Sequence, residues 1–579
     1  MLLPLPLIAA LAVAPPLLTV AEQSGFVRTG RYDEVPRLCA EFPSAYPGRA
    51  RCLSFGVTPE GREMKALVLS DDGVLEPAQA RERQRPVILV QGGIHAGEID
   101  GKDAGFLLAR ELLEGKLEQD ALSAVTLVFV PVFNVDGHER WGKHHRPNQR
   151  GPVEGGWRTT AQNLNLNRDY LKADAPEMRA MIGLLLEWDP VLYVDLHVTD
   201  GAKFQHDVAV LIDPALAGPP PLQGHAKALQ RALLERLRAA GHKPLDFYPS
   251  FEVDDDPSSG FAVGVAPPRF SQPFWALHNR MGMLVETHSW KDYRTRVRAT
   301  HDVLVGILAE ARTQGIAWRK AGLALDAEVA KGPGEVVLAW DNSDEKRTID
   351  FLGYHYTRLP SAVSGTLRTV YDESKPEVWK VPLLPSVKPA LTVTAPKAGY
   401  VVPAAFAPPV RALLRAHGIS FGTVAHDDTR ELEVFRATAV SFGPKPYEGR
   451  MTAKVQGAWT KERRTLERGA LFVPVTQRFG RLVVHLFEPQ APDSLVAWGS
   501  FNVAFEQKEY MEGYVAEEVA ERALRDPKVA AEFAAALADP ELQKDPARRL
   551  DFFYRRHPSW DERKDLVPIV RVDAAPELQ

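Results

Sequence analysis

Residues 87–196 alternate short apolar runs with amphipathic segments. The apolar runs at 87–91, 125–133 and 191–196 predict buried strands, whereas 102–115 and 175–188 have the apolar spacing of helices. Strands and helices that alternate in this way predict a mostly parallel sheet covered by helices on both faces. Such sheets bind ligands where the carboxyl ends of their strands meet, so polar residues at these ends are the first candidates for chemistry.

The pattern changes near residue 325, where short strand-like runs replace the alternation. Proline, glycine and polar residues separate these runs, which is typical of a β-rich domain. The last segment is helical and charged, and the aromatic residues of "RRLDFFYRRHPSWDE" predict that it packs onto the body. The expected division is therefore a signal peptide at 1–21, an α/β domain at 22–320, a β-rich domain at 325–505 and a helical C-terminal tail at 506–579.

The N-terminus is apolar up to Val20 and reaches a small-residue site that ends at Ala21, which is typical of a cleaved signal peptide. The first residues lack the usual lysine or arginine, which leaves a wrongly assigned start or a membrane anchor open. Four prolines argue against a stable spanning helix, namely Pro4, Pro6, Pro15 and Pro16. We therefore expect a periplasmic or secreted protein without a stable membrane span.

Composition narrows the class of protein only slightly. The 579 residues carry a formal net charge of -5 and are 45% hydrophobic and 25% charged, as in an ordinary globular protein. This charge gives no general attraction for nucleic acid. Cys39 and Cys52 are the two cysteines. Their closeness in sequence favours a disulfide in an oxidising compartment, with two buried thiols as the alternative.

Polar residues follow two of the predicted strands directly. His95 and Glu98 lie in the glycine-rich break of "VILVQGGIHAGEIDGK", and His197 follows the apolar run of "LYVDLHVTDG". Taken singly, these are also what a turn-capping histidine, a solvated glutamate and a strand-end histidine look like. Together, two imidazole nitrogens and one carboxylate leave one position for water, which is the composition of a catalytic zinc site.

Two further motifs carry candidate chemistry. In "NLNLNRDYLK", Asn167 and Arg168 pair an amide with a guanidinium, a combination that suits bidentate capture of a carboxylate. In "MGMLVETHSW", Glu286 ends an apolar strand, where burial would raise its pKa and suit it to proton transfer at neutral pH. Each also has a simpler interpretation as a polar loop or a strand-end charge.

The order of these motifs resembles the M14 family of zinc carboxypeptidases over about residues 25–315. The resemblance implies a mixed eight-stranded sheet between helices. It also implies that His95, Glu98 and His197 bind one Zn²⁺ per chain and that Glu286 is the general base.

The resemblance also implies roles for the polar loop. Asn167 and Arg168 would hold the terminal carboxylate of the substrate, and Arg158, nine residues before Asn167, would polarise the scissile carbonyl. Arg146 and Arg150 are weaker candidates for that last role.

Two residues depart from the family pattern. Phe274 stands in the segment where relatives often carry a tyrosine that closes over the substrate, and Asn165 stands where many members have aspartate. The phenylalanine puts a phenol donor in doubt. The asparagine puts the hydrogen bonding next to the metal in doubt.

The resulting hypothesis is an exported bacterial metallocarboxypeptidase that acts on peptides with a free C-terminal carboxylate. A zinc amidase or deacylase acting on cell-wall peptides or N-acyl amino acids is the alternative, and a non-catalytic binding module is less favoured. The carboxylate-binding pair fits both enzymes equally well.

Overall fold

The structure is a computed structural model that describes residues 17–117 and 120–579. Residues 1–16, most of the expected signal peptide, lie outside this range. Val20–Gln23 forms a short helix, α1, whose Glu22 accepts a hydrogen bond from Arg110 at 2.9 Å. Cleavage after Ala21 would cut inside this packed helix, and the signal peptide stays a prediction.

A mixed eight-stranded sheet forms the centre of the first part of the chain. Its strand order is β1-β2-β4-β3-β5-β9-β6-β7, with β4, β3, β5 and β9 parallel to one another. The predicted carboxypeptidase-like sheet is therefore confirmed. The strands, with the short β8 that lies outside this sheet, are β1 (Ala50–Val57), β2 (Glu63–Leu69), β3 (Val87–Gly92), β4 (Thr126–Val130), β5 (Leu192–Thr199), β6 (Val208–Asp213), β7 (Pro244–Leu245), β8 (Phe261–Ala262) and β9 (Met281–His288).

Helices cover both faces of this sheet. They are α2 (Glu34–Ala45), α3 (Pro77–Glu82), α4 (Asp100–Leu113), α5 (Ala121–Ala124), α6 (Val135–Glu139), α7 (Pro176–Trp188), α8 (Pro220–Ala239), α9 (Ser271–Leu277) and α10 (Tyr293–Val329), with 3-10 turns at Leu166–Arg168 and Pro257–Ser259. Leu196 of β5 packs on Gly101 of α4, and Tyr193 packs on Trp275 of α9 with ring centroids 6.3 Å apart. Residues 193 and 196 point to opposite faces of a strand, so α4 and α9 lie on opposite sides of the sheet.

Three smaller sheets follow α10. Their strands are β10 (Glu335–Asn342), β11 (Arg347–Pro360), β12 (Leu367–Leu384), β13 (Val387–Thr394), β14 (Gly399–Val402), β15 (Gly422–Thr423), β16 (Asp428–Phe442), β17 (Ala453–Leu466), β18 (Leu471–Pro474) and β19 (Leu566–Val572). β10 pairs with β13, and β11 and β12 form a hairpin. The parallel pairing of β12 with β8 ties this hairpin to the first part of the chain.

The C-terminal tail is not purely helical, contrary to the expectation for 506–579. Its last strand, β19, lies between β14 and β16 in a six-stranded sheet of order β15-β18-β14-β19-β16-β17. The sequence "LVPIVRV" is rich in β-branched residues, which fit a half-buried strand. The remaining helices are α11 (Ala407–Ala416), α12 (Gly480–Phe487), α13 (Gly513–Ala523), α14 (Pro527–Ala536), α15 (Pro540–Lys544) and α16 (Pro546–Tyr554), with 3-10 turns at Ala404–Phe406 and Asn502–Phe505.

Cys39 of α2 and Cys52 of β1 are joined by a disulfide, as the sequence predicted, with their Cα atoms 5.2 Å apart. Among the helices of residues 17–117 and 120–579, none is long and apolar enough to cross a membrane.

Candidate metal and substrate site

The three predicted metal ligands meet at the carboxyl ends of neighbouring parallel strands. After β3, the chain turns at Gly93, whose positive φ of 64° favours glycine, and this turn carries His95 and Glu98. His197 lies near the end of β5, the next strand in the sheet. The donor atoms of His95, Glu98 and His197 all lie within 4.8 Å of one another, and the three residues are buried.

The geometry of these donors fits a zinc ion. His95 Nδ1 lies 3.1 Å from Glu98 Oε1, and His197 Nδ1 lies 3.0 Å from Glu98 Oε2. Ligand atoms around tetrahedral zinc are separated by about 3.3 Å when the bonds are about 2.0 Å long. His95 Nδ1 is buried and has no hydrogen-bond partner among the described residues, as a metal-ligating nitrogen requires.

The remaining ring nitrogen of His95 is held by Asn165. Asn165 Oδ1 accepts from the backbone N–H of Asn167 at 3.0 Å and lies 3.1 Å from His95 Nε2. An accepting Oδ1 assigns the proton to Nε2 and leaves the lone pair on Nδ1. Burial lowers the pKa of His95 to about 4, which keeps the imidazole neutral. Asn165 thus provides the hydrogen bond that the departure from aspartate had put in doubt.

Asp195 holds the other histidine ligand. His197 Nε2 lies 2.9 Å from Asp195 Oδ2, because residues 195 and 197 share one face of β5. Burial lowers the pKa of His197, but the carboxylates of Asp195 and Glu98 outweigh this and raise it well above the usual value. Neither His197 Nε2 nor Asp195 Oδ2 has a hydrogen-bond partner among the described residues, so the contact is electrostatic, and it places Asp195 to orient the ring.

Glu98 is an ionised carboxylate surrounded by positive groups. Arg146 Nη2 lies 2.8 Å and Arg158 Nη1 3.3 Å from its Oε1. The backbone N–H of Val198 donates to its Oε2 at 3.0 Å. Burial raises the pKa of Glu98, but His95 and Arg146 outweigh burial and hold it well below the usual range. Glu98 can thus serve as an anionic ligand.

Glu286 stands beside His197 on the adjacent strand, where the two residues are paired in the register of β5 and β9. Its side chain is buried, and its Oε2 has no hydrogen-bond partner among the described residues. Burial raises its pKa to about 8, with His197 acting against this shift and the carboxylates of Glu98 and Asp195 acting with it. A carboxylate with this proton affinity suits a general base.

A cavity of about 610 Å³ collects most of the predicted residues. His95, Arg158, Asn167, Arg168 and Glu286 line it, while Glu98 and His197 are neighbours of His95 in the ligand cluster. Asn167 Oδ1 is buried without a hydrogen-bond partner among the described residues, so it is free to contact a ligand.

The structure separates the three candidate arginines. Arg158 lines the same cavity as Glu286. Arg146 and Arg150 line a different cavity, and Arg150 pairs with Glu373 at 3.1 Å. Arg158 is therefore the arginine that a substrate in the main cavity can contact.

Phe274 does not take the place of the substrate-closing tyrosine. It is fully buried on α9, and its ring centroid is 5.2 Å from that of Tyr170. Tyr248, in the loop after β7, lines the cavity instead. Although Tyr248 is 38% exposed, its partial burial and the charges of Glu286 and Glu98 raise its pKa, so its phenol stays protonated and can donate. No motif in "LDFYPSF" marks this tyrosine, which sequence reasoning missed.

Part of the chain matches a known family of proteins. Residues 36–207 match the family model described as "Zinc carboxypeptidase". The comparisons support the M14 zinc carboxypeptidase family.

The individual relatives are distant. Carboxypeptidase 2 of Trichophyton rubrum is 22% identical over 466 residues, which cover 76% of this chain and 78% of the relative. The inactive metallocarboxypeptidase ecm14 of Schizosaccharomyces pombe is 32% identical over 121 residues, which cover 18% of this chain and only 23% of the relative. A metallo-carboxypeptidase structure from Burkholderia cenocepacia has 17% identity and a TM-score of 0.34, covering 48% of this chain and 69% of that chain. The relatives include fungal and animal proteins, so a bacterial, exported origin stays a prediction.

Proposed function

We propose that this protein is a zinc-dependent carboxypeptidase that hydrolyses C-terminal peptide bonds. The observation that carries the proposal is one cavity that joins a metal-ligating histidine, a base and a carboxylate-binding pair. His95, Glu286 and Arg168 represent these three functions in its wall. The relative named as inactive shows that membership of the family alone does not establish activity.

His95, Glu98 and His197 would hold the zinc ion, which, when bound, polarises a carbonyl and lowers the pKa of water. Glu286 accepts the proton of the attacking water at its unpartnered Oε2 and then passes this proton to the leaving amine. Arg158 donates to the scissile carbonyl oxygen, where negative charge develops.

The other cavity residues hold the substrate. Asn167 and Arg168 bind its terminal carboxylate, and a guanidinium next to an amide can do so with several hydrogen bonds. Tyr248 supplies a neutral phenol at the same wall and can donate to the peptide. The site therefore selects a chain end because only a chain end offers the free carboxylate.

The cavity also continues away from Glu286 along β6 and β9. Leu211 pairs with Leu284, and Asp213 pairs with Gly282, four positions before Glu286. At about 3.3 Å per strand residue, Asp213 lies roughly 13 Å along the strand from the base. This distance matches a scissile bond followed by a long C-terminal side chain.

Asp213 makes the far end of this cavity suitable for a cation. Burial raises its pKa to about 7, and no described residue forms an ion pair with it. Lys227 and Arg347 also line the cavity, but neither contributes to the pKa of Asp213. We therefore expect a preference for a C-terminal lysine or arginine, whose positive charge would hold Asp213 ionised.

The test combines zinc analysis with matched blocked dipeptides. We expect one zinc per chain, activity that a chelator removes, and faster hydrolysis of free acids than of amides. Arginine-ended acids should exceed phenylalanine-ended ones, and Asp213→Asn should reduce that ratio by about tenfold or more. Equal cleavage of acids and amides would instead favour an amidase or an endopeptidase.

A further inference from the structure

The β16–β17 hairpin extends from the β-rich part to the predicted carboxylate-binding loop. At its tip, residues 443–452, Tyr447 and Glu448 contact this loop directly. Tyr447 Oη accepts a hydrogen bond from Arg168 Nε at 3.1 Å, and Glu448 Oε2 accepts one from the backbone N–H of Asn165 at 2.8 Å. These contacts join segments about 280 positions apart in sequence.

We propose that this hairpin tip is a working part of the substrate site and that Tyr447 is a positioning residue for Arg168. This inference rests on the proposed carboxypeptidase function and deepens it. It gives the β-rich part a role in recognising the substrate's chain end.

Three contacts fix the guanidinium of Arg168. Its Nε donates to Tyr447, its Nη1 donates to the carbonyl oxygen of Asn167 at 2.7 Å, and its Cζ lies 4.3 Å from the ring centroid of Phe270. No described carboxylate forms an ion pair with Arg168, so its charge is left for a ligand. Without Tyr447, the guanidinium would lose the hydrogen bond that sets its rotation about Nε.

Tyr447 is 39% exposed, and its position is set by a stacked ring and by a neighbouring ion pair. Its ring stacks on Trp498 with an interplanar angle of 8° and centroids 5.9 Å apart. The neighbouring Arg450 binds Asp174 through two hydrogen bonds of 2.7 and 2.6 Å, which fasten the tip to the body. A phenol placed in this way is preorganised to orient an arginine before the substrate binds.

Glu448 acts on the other side of the site. By holding the backbone of Asn165, it supports the amide that contacts His95 Nε2. The tip therefore contacts Arg168, the carboxylate-binding arginine, directly. It contacts the metal ligand His95 only through Asn165. Glu448→Ala should weaken zinc binding, whereas Tyr447→Phe should leave it unchanged.

The decisive experiment measures Tyr447→Phe on a matched peptide acid and amide. The variant keeps the ring on Trp498 and loses only the hydroxyl. We expect kcat/KM for the acid to fall roughly two- to tenfold, mainly through KM, with the amide rate and the zinc content unchanged. Tyr514→Phe is the control, because Tyr514 is 72% exposed on α13 and should change nothing.

A double-mutant cycle separates positioning from a general structural effect. If Tyr447 acts through Arg168, Tyr447→Phe should have no further effect in an Arg168→Ala background. Equal losses on acid and amide, or a persisting effect in that background, would overturn the inference.

Binding of an N-acetyl amino acid and its amide, measured by calorimetry, distinguishes this inference from the proposed function. The inference predicts a smaller acid-to-amide affinity ratio in Tyr447→Phe, and an unchanged ratio contradicts it. Absence of hydrolysis by the wild-type enzyme contradicts only the proposed function.

Discussion

The two halves of the candidate site are built in different ways. The metal half consists of side chains at the ends of the adjacent parallel strands β3, β5 and β9, and they are buried. The carboxylate half consists of Asn167 and Arg168 in the largely irregular stretch between α6 and α7, which also carries Arg158. There, the side chain of Arg158 is 36% exposed.

The difference shows where the rigidity of each half comes from. Hydrogen bonds of the sheet fix the metal half, and Asp195 on β5 completes it from the same strand. The loop that carries the carboxylate half depends on partners far away in sequence, because Tyr447 holds Arg168 and Glu448 holds Asn165. We therefore expect substitutions in the metal half to abolish the chemistry and those in the carboxylate half to change substrate choice.

The largest effect should come from removing a metal ligand. In His197→Ala, two donors remain, and we expect bound zinc to fall from one per chain to near none, with a loss of activity of several orders of magnitude. Mass spectrometry of the intact protein under native conditions measures the zinc. The control His144→Ala, in an exposed loop, should keep both the bound zinc and the activity. Full zinc retention in His197→Ala would exclude His197 as a ligand.

The second effect separates the base from the metal ligands. Glu286→Gln keeps the size of the side chain but cannot accept the proton, so kcat should fall by about 10² to 10⁴-fold. Zinc content and substrate binding should remain, as stopped-flow binding and metal analysis can show. Near-normal turnover would mean that another group deprotonates the water.

A third, smaller effect tests the carboxylate half. Arg168→Ala should lower kcat/KM on a free acid by about ten- to a hundredfold, because a charged hydrogen bond contributes about 1.5 to 3 kcal/mol. The amide, which lacks the charge, should be little affected. Arg158→Ala should slow acid and amide together, because it acts on the scissile carbonyl in both. Equal losses on both substrates in Arg168→Ala would remove it from the carboxylate-binding role.

The same contrast explains what the sequence could predict. A strand-end position is recognisable from an apolar run, so His197 and Glu286 followed from local pattern. Asp195 was within reach, since residues two apart on a strand share a face. Its role became clear only from the 2.9 Å contact with His197.

The long-range partners had no such signal. Tyr248 and Tyr447 lie in a loop and a hairpin tip without a motif, and only the folded chain brings them to the site. For the same reason the tail looked helical: β19 needs β14 and β16 on either side, and local pattern does not reveal its neighbours. Pairing with the neighbouring strands therefore determined the structure of this segment, which local propensity did not reveal.

The smallest expected effect on catalysis comes from a charged cluster at the edge of the main sheet, none of whose three side chains lines the main cavity. His242 lies 2.9 Å from Asp207 through Nδ1 and 2.9 Å from Asp302 through Nε2. Hydrogen bonds to these two carboxylates raise its pKa to about 9, whereas the pKa values of Asp207 and Asp302 are lowered.

A raised histidine pKa stabilises the fold below the unfolded value, about 6.5. The contribution is lost as the pH rises through about 9. The lowered aspartate pKa values work in the opposite direction and weaken the fold only when the pH falls below about 4.

We therefore expect the free energy of unfolding of the wild type to exceed that of His242→Gln by about 1 to 3 kcal/mol near pH 6. This difference, measured by urea titration, should shrink steadily towards pH 9.5, while zinc content and the acid-to-amide ratio stay constant. A difference that grows above pH 7 would contradict the proposed charge on His242, and a changed ratio would show that the sheet edge and the carboxylate half are coupled.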